Sequence, residues 1–415
     1  MPDSNGVLSQ IGMPMPLLTG EELREVISVK MLSGDASRWA KQRIRRLSLD
    51  SRAIRAGDLF IAIRGDKFDG HDYVAMALSR GAVGAIVHDK YVVPPALLRA
   101  GSKLSPPFIL GVRDPLFAYQ QLATHHRSRF DIPLVAVTGS NGKTTTKEMV
   151  ASVMGQRWRV LKTESNFNNR IGVPHTLLRL TGRHEAAVIE MGVDNLGQTT
   201  RLCEIARPTI GIITNIGPDH LEFFGSMEGS AQAKAELLDL LPQDGTAILN
   251  ADDAYFDYLA ARAQCRVVSF GYSPKADVQA LHEKSDGRDG TIFRLLLPGK
   301  VRHTIVRIKV QGSHNVTNAL AAAAVGTVLG VSGAVIAQGL SRFRPAAMRS
   351  QVVVSHGIRV INDCYNANPA SMKAAVQLLA QSGAGRKTIA VLGDMLELGS
   401  GARRMHEEVG AFVAE

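Results

Sequence analysis

Hydrophobic positions follow two rhythms along this chain. Phe108–Val112, Leu134–Val137, Ala187–Glu190, Ile210–Thr214 and Ala247–Leu249 are short, nearly continuous apolar runs, the pattern of strands buried on both faces. Thr145–Met154 and Gly229–Leu241 lie between them and carry the mixed spacing of helices. Strands alternating with helices predict an α/β fold on a largely parallel sheet. After Phe343-Arg344-Pro345 the alternation restarts, with a strand at Ile358–Asn362, a helix from Pro369, a strand at Thr388–Leu392 and a helix from Gly401.

These breaks divide the chain into three blocks: 1–112, closed by Arg113-Asp114-Pro115, then 113–344, then 345–415. A length of 415 residues agrees with two or three domains, at about 150 residues each. The last block stops inside a helix and holds few strands for a doubly wound domain, so it is expected to be incomplete. Val316–Leu340 has no charged residue and is long enough for a membrane span. Gly326, Gly330, Ser332 and Gly333 interrupt it, and two buried helices joined at Gly330-Val331-Ser332-Gly333 are the expected outcome. No membrane insertion is expected.

Composition changes this picture little. Hydrophobic residues make up 45% and charged residues 21%, ordinary for a globular protein. Cys203, Cys265 and Cys364 are widely spaced, which argues against a disulfide framework or zinc site and fits a reducing cytoplasm. The net charge of +10 is spread out, with Lys41–Arg46 the densest patch; it suits anionic partners such as nucleotides. No nucleic-acid motif occurs. The first residues, MPDSNGVLSQIG, lack the basic and apolar regions of a signal peptide.

The strongest local signal is TGSNGKTTTK, from Thr138 to Lys147, between a strand and a helix. Gly139 and Gly142 let backbone N–H groups around Ser140 and Asn141 turn toward phosphate oxygens, and the helix N-terminus adds its positive dipole end. Lys143 reaches phosphate, and Thr144 and Thr145 follow, Thr144 as a Mg²⁺ ligand. Val137 takes the place of the first glycine of the full Walker pattern, so this is a shortened phosphate loop. Glu190 ends one strand and His220 follows the next, at the strand edge where open α/β sheets gather ligands. Either alone reads as an ordinary surface residue. Beside a phosphate loop they become candidates for Mg²⁺, which takes one or two protein ligands plus phosphate oxygens.

In chain order, TGSNGKTTTK, ESNFNNRIGVP (Glu164–Pro174), EMG (Glu190–Gly192), TNIGPDHLEFFGS (Thr214–Ser226), ILNADD (Ile248–Asp253) and GSHNVTNALAA (Gly312–Ala322) resemble the motif series of the Mur ligases. The likeness covers essentially the whole chain, and the ordered set is far more specific than any one member. It implies three domains: a UDP-substrate-binding α/β domain, a central P-loop-type ATPase domain and a Rossmann-like C-terminal domain. It also implies ATP and Mg²⁺ as cofactors.

The resemblance assigns roles by position. Lys143 would hold phosphate, Thr144 and Glu190 a first Mg²⁺, and His220 a second. Lys234 matches the family's carbamylated lysine; from sequence alone it is an exposed helix lysine. Asn250, His314, Asn315 and Asn318 fall where the family holds adenine and ribose, and Asn168 and Asn169 in a substrate-binding segment. Ser51 and Arg52, in Asp50-Ser51-Arg52, would grip the UDP moiety, although alone they form an ordinary polar turn. Asp363-Cys364-Tyr365-Asn366-Ala367-Asn368-Pro369 and Leu392–Gly399 (LGDMLELG) resemble the members that add D-alanyl-D-alanine, and no DNPR-type motif of the lysine- or diaminopimelate-adding members is found. Asp363 would lie near the γ-phosphate, and Tyr365, Asn366 and Asn368 near the dipeptide. Asn368-Pro369 equally reads as a helix cap and first turn. Met348-Arg349 replaces a frequent Gly-Arg; Arg349 can still bind phosphate, but the looser loop that Gly would give is not expected.

The implied reaction is ATP-dependent ligation of D-alanyl-D-alanine to UDP-N-acetylmuramoyl-tripeptide through an acyl phosphate, by a cytoplasmic monomer. The alternatives are a related ligase adding lysine or diaminopimelate, and a ligase-like nucleotide-binding protein with impaired catalysis.

Overall fold

The computed structural model describes residues 17–65, 67–99, 108–286, 290–383, 385 and 387–415. The N-terminal stretch read above for a signal peptide lies outside them. The chain forms two compact units, one running to Arg129 and the other from Phe130 to Glu415.

Among the described residues, the first unit holds a five-stranded sheet in the order Lys30–Ser33, Phe108–Val112, Gly84–His88, Asp58–Ile61, Arg46–Ser48. Its strands pair in parallel except Lys30–Ser33, which runs antiparallel to Phe108–Val112. Phe60, Val74, Ala77, Ala85, Val87 and Ile109 form its core. Beyond the sheet, Asp114 caps the helix Pro115–Ser128 by accepting from Leu116 N at 2.8 Å and Phe117 N at 3.1 Å. Pro115 at the first turn gives up no hydrogen bond there.

The second unit is built on a nine-stranded sheet, counted among the described residues. From one edge its strands are Val160–Lys162, Ala186–Glu190, Leu134–Thr138, Ile210–Ile213, Thr246–Asn250, Arg266–Gly271, Val278–Ser285, Thr291–Leu296 and Thr304–Ile308. The pairs up to Val278–Ser285 are parallel, and the last two strands add antiparallel. The chain order reverses about Leu134–Thr138, whose neighbours are Ala186–Glu190 and Ile210–Ile213. The loops after these three strands therefore emerge side by side at a topological switch point, where α/β sheets bind ligands.

Three helices cover one face of this sheet. Lys143–Met154 turns Thr146, Met149, Val150 and Val153 inward at helical spacing. It packs on Ser313–Val328 and Gly333–Arg342, the two helices expected from the uncharged stretch. The Ala-rich face of Ser313–Val328 is buried in the main core with Phe270, Phe293 and Ile336. Each fully buried Val or Phe there contributes about 1.5–3 kcal/mol. No helix among the described residues is long and apolar enough to cross a membrane.

The last block carries an antiparallel hairpin, Gln351–Ser355 with Ile358–Asn362, and the helices Pro369–Ser382 and Ala402–Ala414, which pack together. The expected strand at Thr388–Leu392 is not formed: the segment joins no ladder, and Ile389 and Val391 are exposed. A strand needs a neighbour for its backbone groups, and the two described strands of this block pair with each other.

Candidate active site

Gly139 and Gly142 shape the phosphate loop. Their φ values of +134° and +79° lie where side chains are disfavoured. A Cβ on Gly139 would stand 2.0 Å from Thr214 Oγ1, and one on Gly142 2.3 Å from Asn318 Oδ1. The loop is pinned from the next strand: Asn141 N donates to Asn215 Oδ1 at 3.0 Å, and Thr214 Oγ1 donates to Asn141 O at 2.6 Å. Lys143 Nζ folds back onto the carbonyls of Gly139 and Ser140, at 2.7 and 3.1 Å.

Glu190, buried at the end of its strand, accepts on Oε1 from Thr144 Oγ1 at 3.1 Å and Asn168 Nδ2 at 2.9 Å. Its Oε2 is buried without a hydrogen-bond partner, 3.6 Å from Lys147 Nζ. A hydroxyl and a carboxylate meeting at the loop, with one carboxylate oxygen unsatisfied, fit a hard cation that takes its remaining ligands from phosphate and water. No group of three or more His, Cys, Asp or Glu that could hold a metal gathers among the described residues.

Lys234 is not the exposed helix lysine that its sequence suggests. The helix Met227–Asp239 buries Ser230, Ala231, Ala233, Lys234 and Leu237, and Lys234 is 1% exposed. Lys234 Nζ donates to Asp219 Oδ1 at 3.0 Å and Ser230 Oγ at 2.7 Å. The same Asp219 oxygen accepts from Ser140 Oγ at 2.6 Å, tying the pair to the phosphate loop. Burial pushes the Lys234 ammonium down to about 8, opposed by Asp219 and assisted by the charge of Lys143. Burial alone would raise Asp219, but Lys234, Lys143 and the Ser140 hydroxyl hold it below its ordinary range. Asp219 had no signal of its own in the sequence beyond preceding His220. His220 sits at φ +50° and pairs through Nδ1 with Glu397 of LGDMLELG, a partner 177 residues away.

The residues expected on the nucleotide side cluster. Asn250 Nδ2 donates to Thr214 O at 3.1 Å, and Asn318 Oδ1 accepts from Thr146 Oγ1 at 3.1 Å. Asn315 Nδ2 donates to Gln311 O at 2.8 Å and lies 3.0 Å from His314 Nε2. From the last block, Asn368 Nδ2 donates to Asn141 Oδ1 at 2.7 Å. A cavity of about 450 Å³ is lined by Ser140–Thr145 and Asn250, by His314, Asn315 and Asn318, and by Arg349, Asp363, Asn366 and Asn368.

Other sequence candidates sit differently. Asn168 faces Glu190, while Asn169 Oδ1 accepts from Ile171 N and Gly172 N at 3.1 and 3.0 Å. In the first unit, Ser51 is buried with its hydroxyl 3.5 Å from Met76 Sδ. Arg52 is exposed and grips Asp50 with Nε and Nη2 at 2.9 and 3.0 Å. Met348 adopts φ +58°, the conformation a Gly would take, so the turn survives without Gly.

A phosphate loop at the switch point of a parallel sheet, with an acidic strand end beside it, defines a nucleotide-dependent enzyme of the P-loop type. Residues 137–326 match the Mur ligase middle domain, 348–415 the Mur ligase glutamate ligase domain, and 43–107 the catalytic domain of the Mur ligase family. The UDP-N-acetylmuramoyl-tripeptide–D-alanyl-D-alanine ligase of Bacillus subtilis is 39% identical over 89% of this chain and 78% of its own length. That of Escherichia coli is 35% identical over 95% of this chain and 82% of its own. Among solved structures, MurF from Acinetobacter baumannii superposes with a TM-score of 0.86 at 32% identity, covering 97% of this chain and 84% of that one. MurF from Thermotoga maritima in complex with ADP gives 0.78 at 29% identity, covering 89% and 82%. The chain belongs to the Mur ligase family.

Proposed function

We infer that this chain joins D-alanyl-D-alanine to UDP-N-acetylmuramoyl-tripeptide at the cost of ATP, releasing ADP and phosphate. The observation that carries this reading is the shared cavity: Arg349, Asp363 and Asn366 of the last block line the same space as the phosphate loop. An amine delivered by that block would meet a carboxylate activated at the loop. The DCYNANP and LGDMLELG segments support D-alanyl-D-alanine as that amine.

Carboxylates resist amines because oxide is a poor leaving group. The tripeptide's terminal carboxylate takes the γ-phosphoryl group of ATP, ADP leaves, and the amine then attacks the acyl phosphate and expels phosphate. Lys143 and Arg349 would offset the charge on the transferring group, the main demand of such chemistry. Asn250, His314, Asn315 and Asn318 would hold the nucleoside, and Asn366 and Asn368 the dipeptide. Mg²⁺, when bound by Thr144 and Glu190 and at a second position by His220 and Lys234, would supply further charge neutralisation on the phosphoryl oxygens. Lys234 suits that role as a carbamate: its neutral amine, made accessible by burial, adds to CO₂ and loses a proton, which gives two oxygen donors.

The finer reading is a cytoplasmic monomer in which 1–112 binds the UDP moiety through Ser51 and Arg52, 113–344 uses ATP, and 345–415 receives the amine. Three free cysteines support a reducing compartment. ADP release, followed with the UDP-tripeptide and each amine in turn, tests the reaction. Release should require D-alanyl-D-alanine; release driven equally by lysine or diaminopimelate would reassign the amine.

A further inference from the structure

We propose that Tyr365 is a positioning residue for Arg349: its ring is a platform that aims the guanidinium into the nucleotide cavity. The inference rests on the ATP reading above and moves Tyr365 from grasping the dipeptide to acting through Arg349.

Four observations converge. Arg349 Cζ lies 4.0 Å from the centroid of the Tyr365 ring, within the range of a cation–π contact. Arg349 lines the cavity and Tyr365 does not; the tyrosine is 44% exposed. Arg349 Nε is buried without a hydrogen-bond partner, so no carboxylate orients the head through that atom. The backbone on both sides is held in the left-handed region, with Met348 at φ +58° and Ser350 at φ +47°.

That turn is anchored to the Tyr365 segment. Ser350 N donates to Asp363 Oδ1 at 2.6 Å, and Tyr365 N donates to Met348 O at 3.4 Å. Left-handed conformations at non-glycine residues persist only where their surroundings hold them. Here the same short segment, Asp363 to Tyr365, supplies both the anchor and the platform. An arginine that must meet a phosphoryl group needs a fixed direction, since a free side chain of this length loses much of its gain to ordering. The aromatic face gives that direction and leaves the N–H groups free for phosphate.

The test is titration calorimetry of the full chain with a non-hydrolysable ATP analogue and Mg²⁺, for wild type, Tyr365→Phe, Tyr365→Leu, Arg349→Ala and Tyr365→Leu/Arg349→Ala. Tyr365→Phe should bind like wild type. Tyr365→Leu, which keeps bulk but has no π face, should weaken binding about three- to tenfold. The double variant should bind no more weakly than Arg349→Ala alone, and the KM for D-alanyl-D-alanine should stay unchanged in Tyr365→Leu. If Arg349→Ala weakens binding while Tyr365→Leu does not, or if the two losses add fully, the positioning role is overturned. A raised KM for the dipeptide with nucleotide affinity intact would return Tyr365 to the amine site. If wild type itself fails to bind the analogue, the ATP reading has failed instead.

Discussion

Lys234 Nζ lies 3.0 Å from Asp219 Oδ1, and the pair is buried against the phosphate loop, where Ser140 donates to the same carboxylate oxygen. One oxygen thus joins the lysine helix to the loop. Removing the lysine strands a buried carboxylate with only the Ser140 and Ser230 hydroxyls and the charge of Lys143 for company. Lys234→Met should therefore destabilise the chain by about 3 kcal/mol, the usual cost of breaking a buried pair. Urea unfolding checks this. Activity of Lys234→Ala should fall and return in part on addition of short carboxylates; undiminished activity would remove the carbamate.

The same lysine sets a pH dependence. Its folded value is about 8 against an ordinary 10.5. Between these the unfolded chain holds the proton and the folded chain does not, so the stability linked to Lys234 rises with pH across this window. The cost is present in full below pH 8 and relieved above 10.5. In CO₂-free buffer, the difference in unfolding free energy between wild type and Lys234→Met should shift in favour of wild type from pH 8 to 10. A flat difference would mean the lysine titrates normally.

The Lys143 ammonium donates to the loop carbonyls of Gly139 and Ser140 and lines the cavity. Lys143→Ala should leave melting nearly unchanged and lower the ligation rate by about 100-fold or more, in line with losing a charge aimed at the transferring phosphoryl group. Ligation near the wild-type rate would mean that phosphate is held elsewhere.

Asn368 has two separable contacts. Its Oδ1 accepts from Ser371 N at 2.9 Å, capping the last block's first helix, and its Nδ2 donates to Asn141 Oδ1 at 2.7 Å. Asp keeps the cap and loses the donor. Asn368→Asp should hold stability within about 0.5 kcal/mol and reduce turnover, whereas Asn368→Ala should lose about 1 kcal/mol as well. Equal melting of the two variants would show that the cap contributes little.

Met348 pays for a glycine-like turn. Met348→Ile, β-branched at φ +58°, should destabilise by about 1–2 kcal/mol, while Met348→Gly should be near neutral because relief of strain offsets the greater freedom of the unfolded chain. Thermal melts distinguish them.

The parallel half of the central sheet was legible because its strands are short apolar runs ending at chemical motifs: Leu134–Thr138 leads into Gly139, and Ala186–Glu190 ends on its own carboxylate. The two helices of the uncharged stretch were legible from their glycines. The burial of Lys234 was not, because lysine is seldom buried without a partner and its partner, Asp219, comes from a loop 15 residues earlier. The pairing of His220 with Glu397 spans 177 residues, and no local pattern announces it. Thr388–Leu392 has strand composition but no partner strand among the described residues, and β-propensity without a partner strand does not make a strand.

The central claim is that a nucleotide-activated carboxylate is captured by an amine at the cavity shared by the phosphate loop and the last block. Purified protein given ATP, Mg²⁺, UDP-N-acetylmuramoyl-tripeptide and D-alanyl-D-alanine should be followed for amide product by mass spectrometry and for ADP in the same sample. The account predicts one ADP for each amide bond and no product when ATP is withheld. Amide formation without nucleotide consumption would contradict it.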